Sequence, residues 1–126
     1  MATVPQQWVE KAQYDLDTAK AMLESGRYLY VVFCCQQAVE KALKGLIALR
    51  TGETPPRLHN LPRLAEVARL EVAPAKAEVM RFLTSYYVQS RYPEELALDA
   101  AIDASRAEHS LRATEEIIEW PSGLMR

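Results

Sequence analysis

LYVVFCCQQAVEKALKGLIALRTG, residues 29–52, decides the fold. Its first seven residues, Leu29 to Cys35, are apolar, so a helix built there has no face to give to water and must sit inside other helices. From Gln36 onward polar side chains return: Gln36, Gln37, Glu40, Lys41 and Lys44 recur at three- and four-residue spacing and fall on one side. Gly52 ends the pattern, as a glycine just past a helix commonly does. The segment therefore reads as one central helix from about Leu29 to Thr51.

Working outward, Thr3 and Pro5 form a start signal, and Trp8, Ala12, Leu16, Ala19 and Leu23 repeat every three or four residues until Gly26. On the other side, GETPPRLH (residues 52–59) must be a loop, after which Asn60 can cap a short helix beginning LPRLAEVARL. Pro74 opens a fourth helix with Val79, Phe82, Leu83 and Tyr86 on one side, ended by SRYP (residues 90–93). A last helix is expected from about Leu98 to Trp120, stopped by Pro121, with a stripe of Ala100, Ala104, Ala107, Leu111, Thr114 and Ile118. The expected fold is all-α: an up-and-down bundle of about five helices, two long antiparallel hairpins joined by a short helix.

A chain of 126 residues fits a single domain, 1–126, with a core that needs neither disulfides nor metal. The net charge of −2 excludes whole-molecule attraction to nucleic-acid phosphates and leaves only a local basic patch for such contacts. Arginines outnumber lysines ten to five, and guanidinium suits phosphate. Cys34 and Cys35 are neighbours in the apolar run, where their side chains diverge; they read as buried free thiols in a reducing, cytoplasmic setting. The apolar run is far too short to span a bilayer, and the N-terminus has no secretory pattern.

The polar stripe on the central helix has two readings: a solvated face held by Glu40 with Lys44, or the wall of a groove. His59, just before the Asn60 cap, either hydrogen-bonds its own loop or positions a substrate. Tyr87, Arg91 and Tyr92 suit stacking and phosphate contacts, or simply cover the bundle with wet hydroxyls, whereas Tyr86 fits the apolar register. His109 lacks a second histidine at i+4, so no metal site is expected there. Asp99 with Asp103 and Glu115 with Glu119 read as solvated helix faces. Hydrolase, glycine-rich phosphate-loop and dinucleotide-binding motifs are absent from the sequence.

Together, W-x(5)-Y-D-L from Trp8 to Leu16, VVFCCQQAVEKALKGLIALRTGE, HNL at His59–Leu61 and SRYP resemble the HEPN domain, the higher-eukaryote and prokaryote nucleotide-binding helical bundle. The resemblance implies a homodimer or higher homo-oligomer, a minimal nucleotidyltransferase as partner in a toxin–antitoxin-like pair, and a nucleotide or RNA as ligand; no cofactor, metal or membrane is expected. It points to Gln36, Glu40, Lys41, Lys44, His59, Arg91 and Tyr92 as ligand-binding residues. Active members are metal-independent ribonucleases with an arginine followed four to six residues later by a histidine. Here Arg91 is followed by YPEELAL, so that histidine is missing. Three readings result: a non-catalytic nucleotide- or RNA-binding module; a ribonuclease in which His59 works with Arg91; or a helical assembly factor without a ligand.

Overall fold

The computed structural model describes residues 2–89 and 102–124. Five helices lie among them: α1 (Val4–Glu24), α2 (Tyr28–Thr51), α3 (Leu61–Val67), α4 (Pro74–Gln89) and α5 (Ala104–Leu124). The central helix is α2, which touches all four others. Its Val31, Val32, Cys35, Ala38, Val39, Ala42, Leu43, Leu46 and Ile47 are all at most 2% exposed. Against it α1 sets Ala12, Leu16 and Ala19, and α5 sets Ala107, Leu111, Ile117 and Ile118. None of the described helices is long and apolar enough to cross a membrane.

Local chemistry fixes the helix ends. Thr3 Oγ1 accepts from the Gln6 N–H at 3.3 Å while Gln6 Oε1 accepts from the Thr3 N–H at 2.9 Å, a reciprocal cap that satisfies two otherwise orphaned donors. Gly52 closes α2 in the left-handed conformation, φ 68°, where a Cβ would be strained. Asn60 caps α3 through its Oδ1, 3.0 Å from the Arg63 nitrogen. At the other end of α3, Arg69 turns left-handed, φ 57°. Arg50 reaches across from α2 to donate to the carbonyls of Ala68 and Arg69 at 2.7 and 2.8 Å, and its guanidinium lies over the Trp120 ring at 5.4 Å.

The last helix departs from its expected boundaries at both ends. Ile102 and Asp103 are not helical, and Asp103 Oδ1 instead accepts from the Arg106 N–H at 2.8 Å, so this carboxylate is a cap and not part of a helix face. Pro121 does not stop α5, which continues to Leu124. A proline in the last turn forfeits one helical hydrogen bond; here its ring is buried, and that burial offsets the loss. Residues 98–101, including Asp99 and Ala100, lie outside the described residues. On α4 the fully buried positions are Met80, Leu83 and Tyr87, with Val79, Phe82 and Tyr86 half-buried, so the inward face is centred one position further along than the sequence pattern places it. Of the two thiols, Cys35 is buried but Cys34 only half-buried.

Candidate functional site

Spacing of four residues stacks Gln36, Glu40 and Lys44 along one line of α2. The line faces inward: these residues are 0%, 5% and 8% exposed, so the stripe is not the solvated face that one reading of the sequence allows. Glu40 is the hub. Its Oε2 accepts from Lys44 Nζ at 3.1 Å, and its Oε1 accepts from Gln36 Nε2 at 3.1 Å and lies 2.8 Å from His59 Nδ1. The Gln36 amide donates its second proton to the His59 carbonyl at 2.9 Å, and Gln37 Nε2 donates to Gln36 Oε1 at 2.7 Å. Two buried opposite charges with both carboxylate oxygens hydrogen-bonded meet the condition under which the cost of removing them from water is repaid.

His59 belongs to the loop before α3, and that loop is clamped on two sides. The Leu61 N–H donates to Thr84 Oγ1 of α4 at 3.1 Å, and the Gln36 bond holds the His59 carbonyl to α2. The imidazole centroid lies 5.0 Å from the Tyr87 ring, which stacks on Phe33 at 5.4 Å. His59 therefore uses its ring nitrogen on Glu40 instead of on its own loop. With Nδ1–H donating to the carboxylate, the tautomer that leaves Nε2 as an acceptor is selected. Nε2 makes no hydrogen bond among the described residues, and 45% of the side chain is exposed. A fixed, half-exposed imidazole with a free nitrogen can accept from a ligand hydroxyl or, when protonated, donate to a phosphate oxygen.

Not every expected site residue joins this cluster. Lys41 points away from it to α1, the other arm of its own hairpin, where its Nζ pairs with Asp15. Arg91 and Tyr92 lie outside the described residues. The thiols are poor nucleophiles: burial pushes Cys35 up to about 12, and burial followed by the Asp15 carboxylate raises Cys34. Among the described residues, no three His, Cys, Asp or Glu side chains gather as a metal set.

Sequence reasoning missed a second group. On α5, Arg106 lays its guanidinium 3.9 Å over the Phe82 ring of α4, and Phe82 and Tyr86 pair at 4.8 Å. With Asp103, Ser105 and His109 they line an open cleft between the two helices. The available signal is the aromatic pair at i,i+4 on α4; the phase of α5 that brings Arg106 and His109 to it is set by packing.

The bundle and its carboxylate-tethered histidine define an all-helical module whose polar chemistry sits where α2, α4 and the α2–α3 loop meet. A model of the HEPN domain matches residues 5–124, and the chain belongs to that family. TT1696 from Thermus thermophilus has a similar structure, with a TM-score of 0.81 at 28% identity over 94% of this chain and 96% of that one. ST0689, an archaeal HEPN homologue, superposes with a TM-score of 0.78, also at 28% identity, over 98% and 99%. No curated protein matches the sequence.

Proposed function

We propose that the protein is a nucleotide- or RNA-binding module that acts as a homodimer beside a minimal nucleotidyltransferase, in the manner of a toxin–antitoxin pair. The observation carrying the binding reading is the His59 imidazole, anchored to Glu40 at 2.8 Å yet half-exposed beside Tyr87. A ligand hydroxyl or phosphate meets Nε2, and a base meets the aromatic group. Gln36, Glu40 and Lys44 hold the imidazole and do not reach the ligand themselves, since they are buried. Arg91 is assigned to phosphate and Tyr92 to the base, and Lys41 to the rim. Membership of the HEPN family supports the ligand class.

The test is binding of a labelled single-stranded RNA and of adenosine monophosphate in the presence of a chelator. His59→Ala should weaken binding about tenfold, the loss of one good hydrogen bond to a charged group. Unchanged affinity would remove His59 from the site.

A second reading is favoured by the Glu40 bond itself. A carboxylate that fixes an imidazole tautomer is the arrangement that makes histidine a general base, so His59 with Arg91 would suffice for attack of a ribose 2′-hydroxyl on its phosphate. Cleavage of the same RNA without metal, abolished in both His59→Ala and Arg91→Ala, is the outcome that would promote this reading over simple binding. Binding without cleavage leaves the module non-catalytic, and a protein that neither binds nor cuts leaves the assembly role.

A further inference from the structure

The cleft between α4 and α5 is separate from the His59 network and carries chemistry of its own. It has a volume of about 570 Å³, within the range that accepts a nucleotide-sized ligand. Arg106 and His109 sit one turn apart on α5, and both are exposed. Neither makes an ion pair or a side-chain hydrogen bond among the described residues, although Arg106 is fixed over Phe82. Stacking holds the guanidinium plane and leaves its N–H edge free, the geometry suited to a phosphate. Phe82 is covered by Arg106, whereas the half-buried Tyr86 beside it lines the cleft. A smaller adjoining pocket is lined by the same Arg106 and His109 and by Ser110, whose buried hydroxyl has no hydrogen-bond partner among the described residues. Tyr86 and Tyr87 are neighbours on α4, one turned to this cleft and the other to His59.

We propose that the α4–α5 cleft is a second subsite for a single-stranded nucleic acid, in which Arg106 and His109 hold one phosphodiester and Tyr86 stacks on the adjoining base. The proposal deepens the binding reading above and rests on it for the ligand class. The acidic neighbours decide which phosphate fits. Asp103 lines the cleft and the exposed Glu78 the pocket adjoining it, so a single guanidinium faces two carboxylates. Against these two carboxylates a nucleoside triphosphate would be repelled more strongly than the single diester anion of a strand. The two sites flank the end of α4, so a strand held in both would cross the helix there.

The experiment is fluorescence anisotropy with a labelled ten-residue oligoadenylate in a chelator, repeated at several salt concentrations, on the wild type and on Arg106→Ala, Arg106→Lys, His109→Gln and His59→Ala. Circular dichroism checks that each variant is folded. Arg106→Ala should weaken binding about tenfold and lower the slope of log affinity against log salt by about 0.7, the loss of one single-strand phosphate contact. Arg106→Lys should restore the slope but not the full affinity, because lysine lacks the stacked planar fork. ATP should compete no better than adenosine monophosphate. If His59→Ala weakens binding while both Arg106 variants and His109→Gln bind as the wild type, the cleft proposal falls and the His59 site stands. If the Arg106 variants lose affinity and His59→Ala does not, the His59 site falls and the cleft stands. A wild type that binds no oligoadenylate overturns both.

Discussion

Two polar regions of this bundle are built on opposite terms. Around Glu40 a lysine, a glutamine and a histidine converge on one buried carboxylate, and apart from the half-exposed His59 ring the group is nearly closed to water. Among the described residues of the α4–α5 cleft, the arginine has a ring beneath it but forms no ion pair, and the histidine has no hydrogen-bond partner. A closed network contributes to stability and to the placement of one imidazole, whereas an open one contributes little to either and keeps its donors available. Burial thus separates the residues that hold the fold from those free to meet a ligand, and the two regions should respond to mutation in opposite ways.

The largest effect is expected from breaking the closed network at its hub. Glu40→Ala leaves the Lys44 ammonium buried without a counter-charge and releases both Gln36 and His59; about 3–5 kcal/mol of stability should be lost in urea denaturation. Replacing both partners, Glu40→Gln with Lys44→Met, should recover most of that loss, since the cost lies in the stranded charge. A Glu40→Ala variant within about 1 kcal/mol of the wild type would mean that the network is open to water, and the contrast drawn above would fail.

A smaller effect sharpens the contrast from inside the core. The Cys35 thiol, at about 12, is raised above its ordinary 9.0, mainly by burial. Below pH 9 both folded and unfolded chains keep the proton and the thiol contributes nothing to pH dependence. Between pH 9 and about 12 the unfolded chain loses its proton first, so stability falls as pH rises, by up to about 1.4 kcal/mol per pH unit. Denaturation at pH 8 and pH 10.5 should show a loss about 2 kcal/mol larger in the wild type than in Cys35→Ala, which lacks the thiol. Equal losses would show that the thiol ionises freely and that the centre of α2 is wetter than its packing implies.

The same contrast explains what can be read from the sequence. The closed network leaves a trace because three of its members, Gln36, Glu40 and Lys44, share one helix at fixed spacing, and the apolar run before them places that helix inside the bundle. The spacing cannot tell which way the stripe faces. Its inward direction comes from His59, 19 residues beyond Glu40 and brought to it by a loop. Lys41 shares the spacing but lies toward α1, which only the packing of that hairpin reveals. The cleft is less legible still: Arg106 and His109 sit among charged neighbours on a helix that begins at Ala104, well after the Leu98 that the sequence pattern suggests. That pattern also draws Asp103 into the helix, because a cap and a helix-face carboxylate look alike until the backbone is seen. Pro121 misleads in the same way, because its burial outweighs a rule about proline that holds best for exposed helices. Arg91 and Tyr92, read from the family motif, lie outside the described residues.

The smallest effect is the most discriminating one. Arg106 is exposed, and its strong side-chain contact among the described residues is the face of Phe82 at 3.9 Å. An exposed cation over a ring contributes about 0.5–1 kcal/mol. Arg106→Ala should therefore shift the urea midpoint by that amount or less while weakening strand binding about tenfold. Glu40→Ala should do the reverse in proportion: a large loss of stability, and a binding defect that follows from the released His59 and not from a lost contact to the ligand. Comparing the two variants under conditions where both are folded tests whether the closed and open regions have divided the work. A destabilisation by Arg106→Ala as large as that by Glu40→Ala would place Arg106 among the residues that hold the bundle and leave the cleft without a free cation.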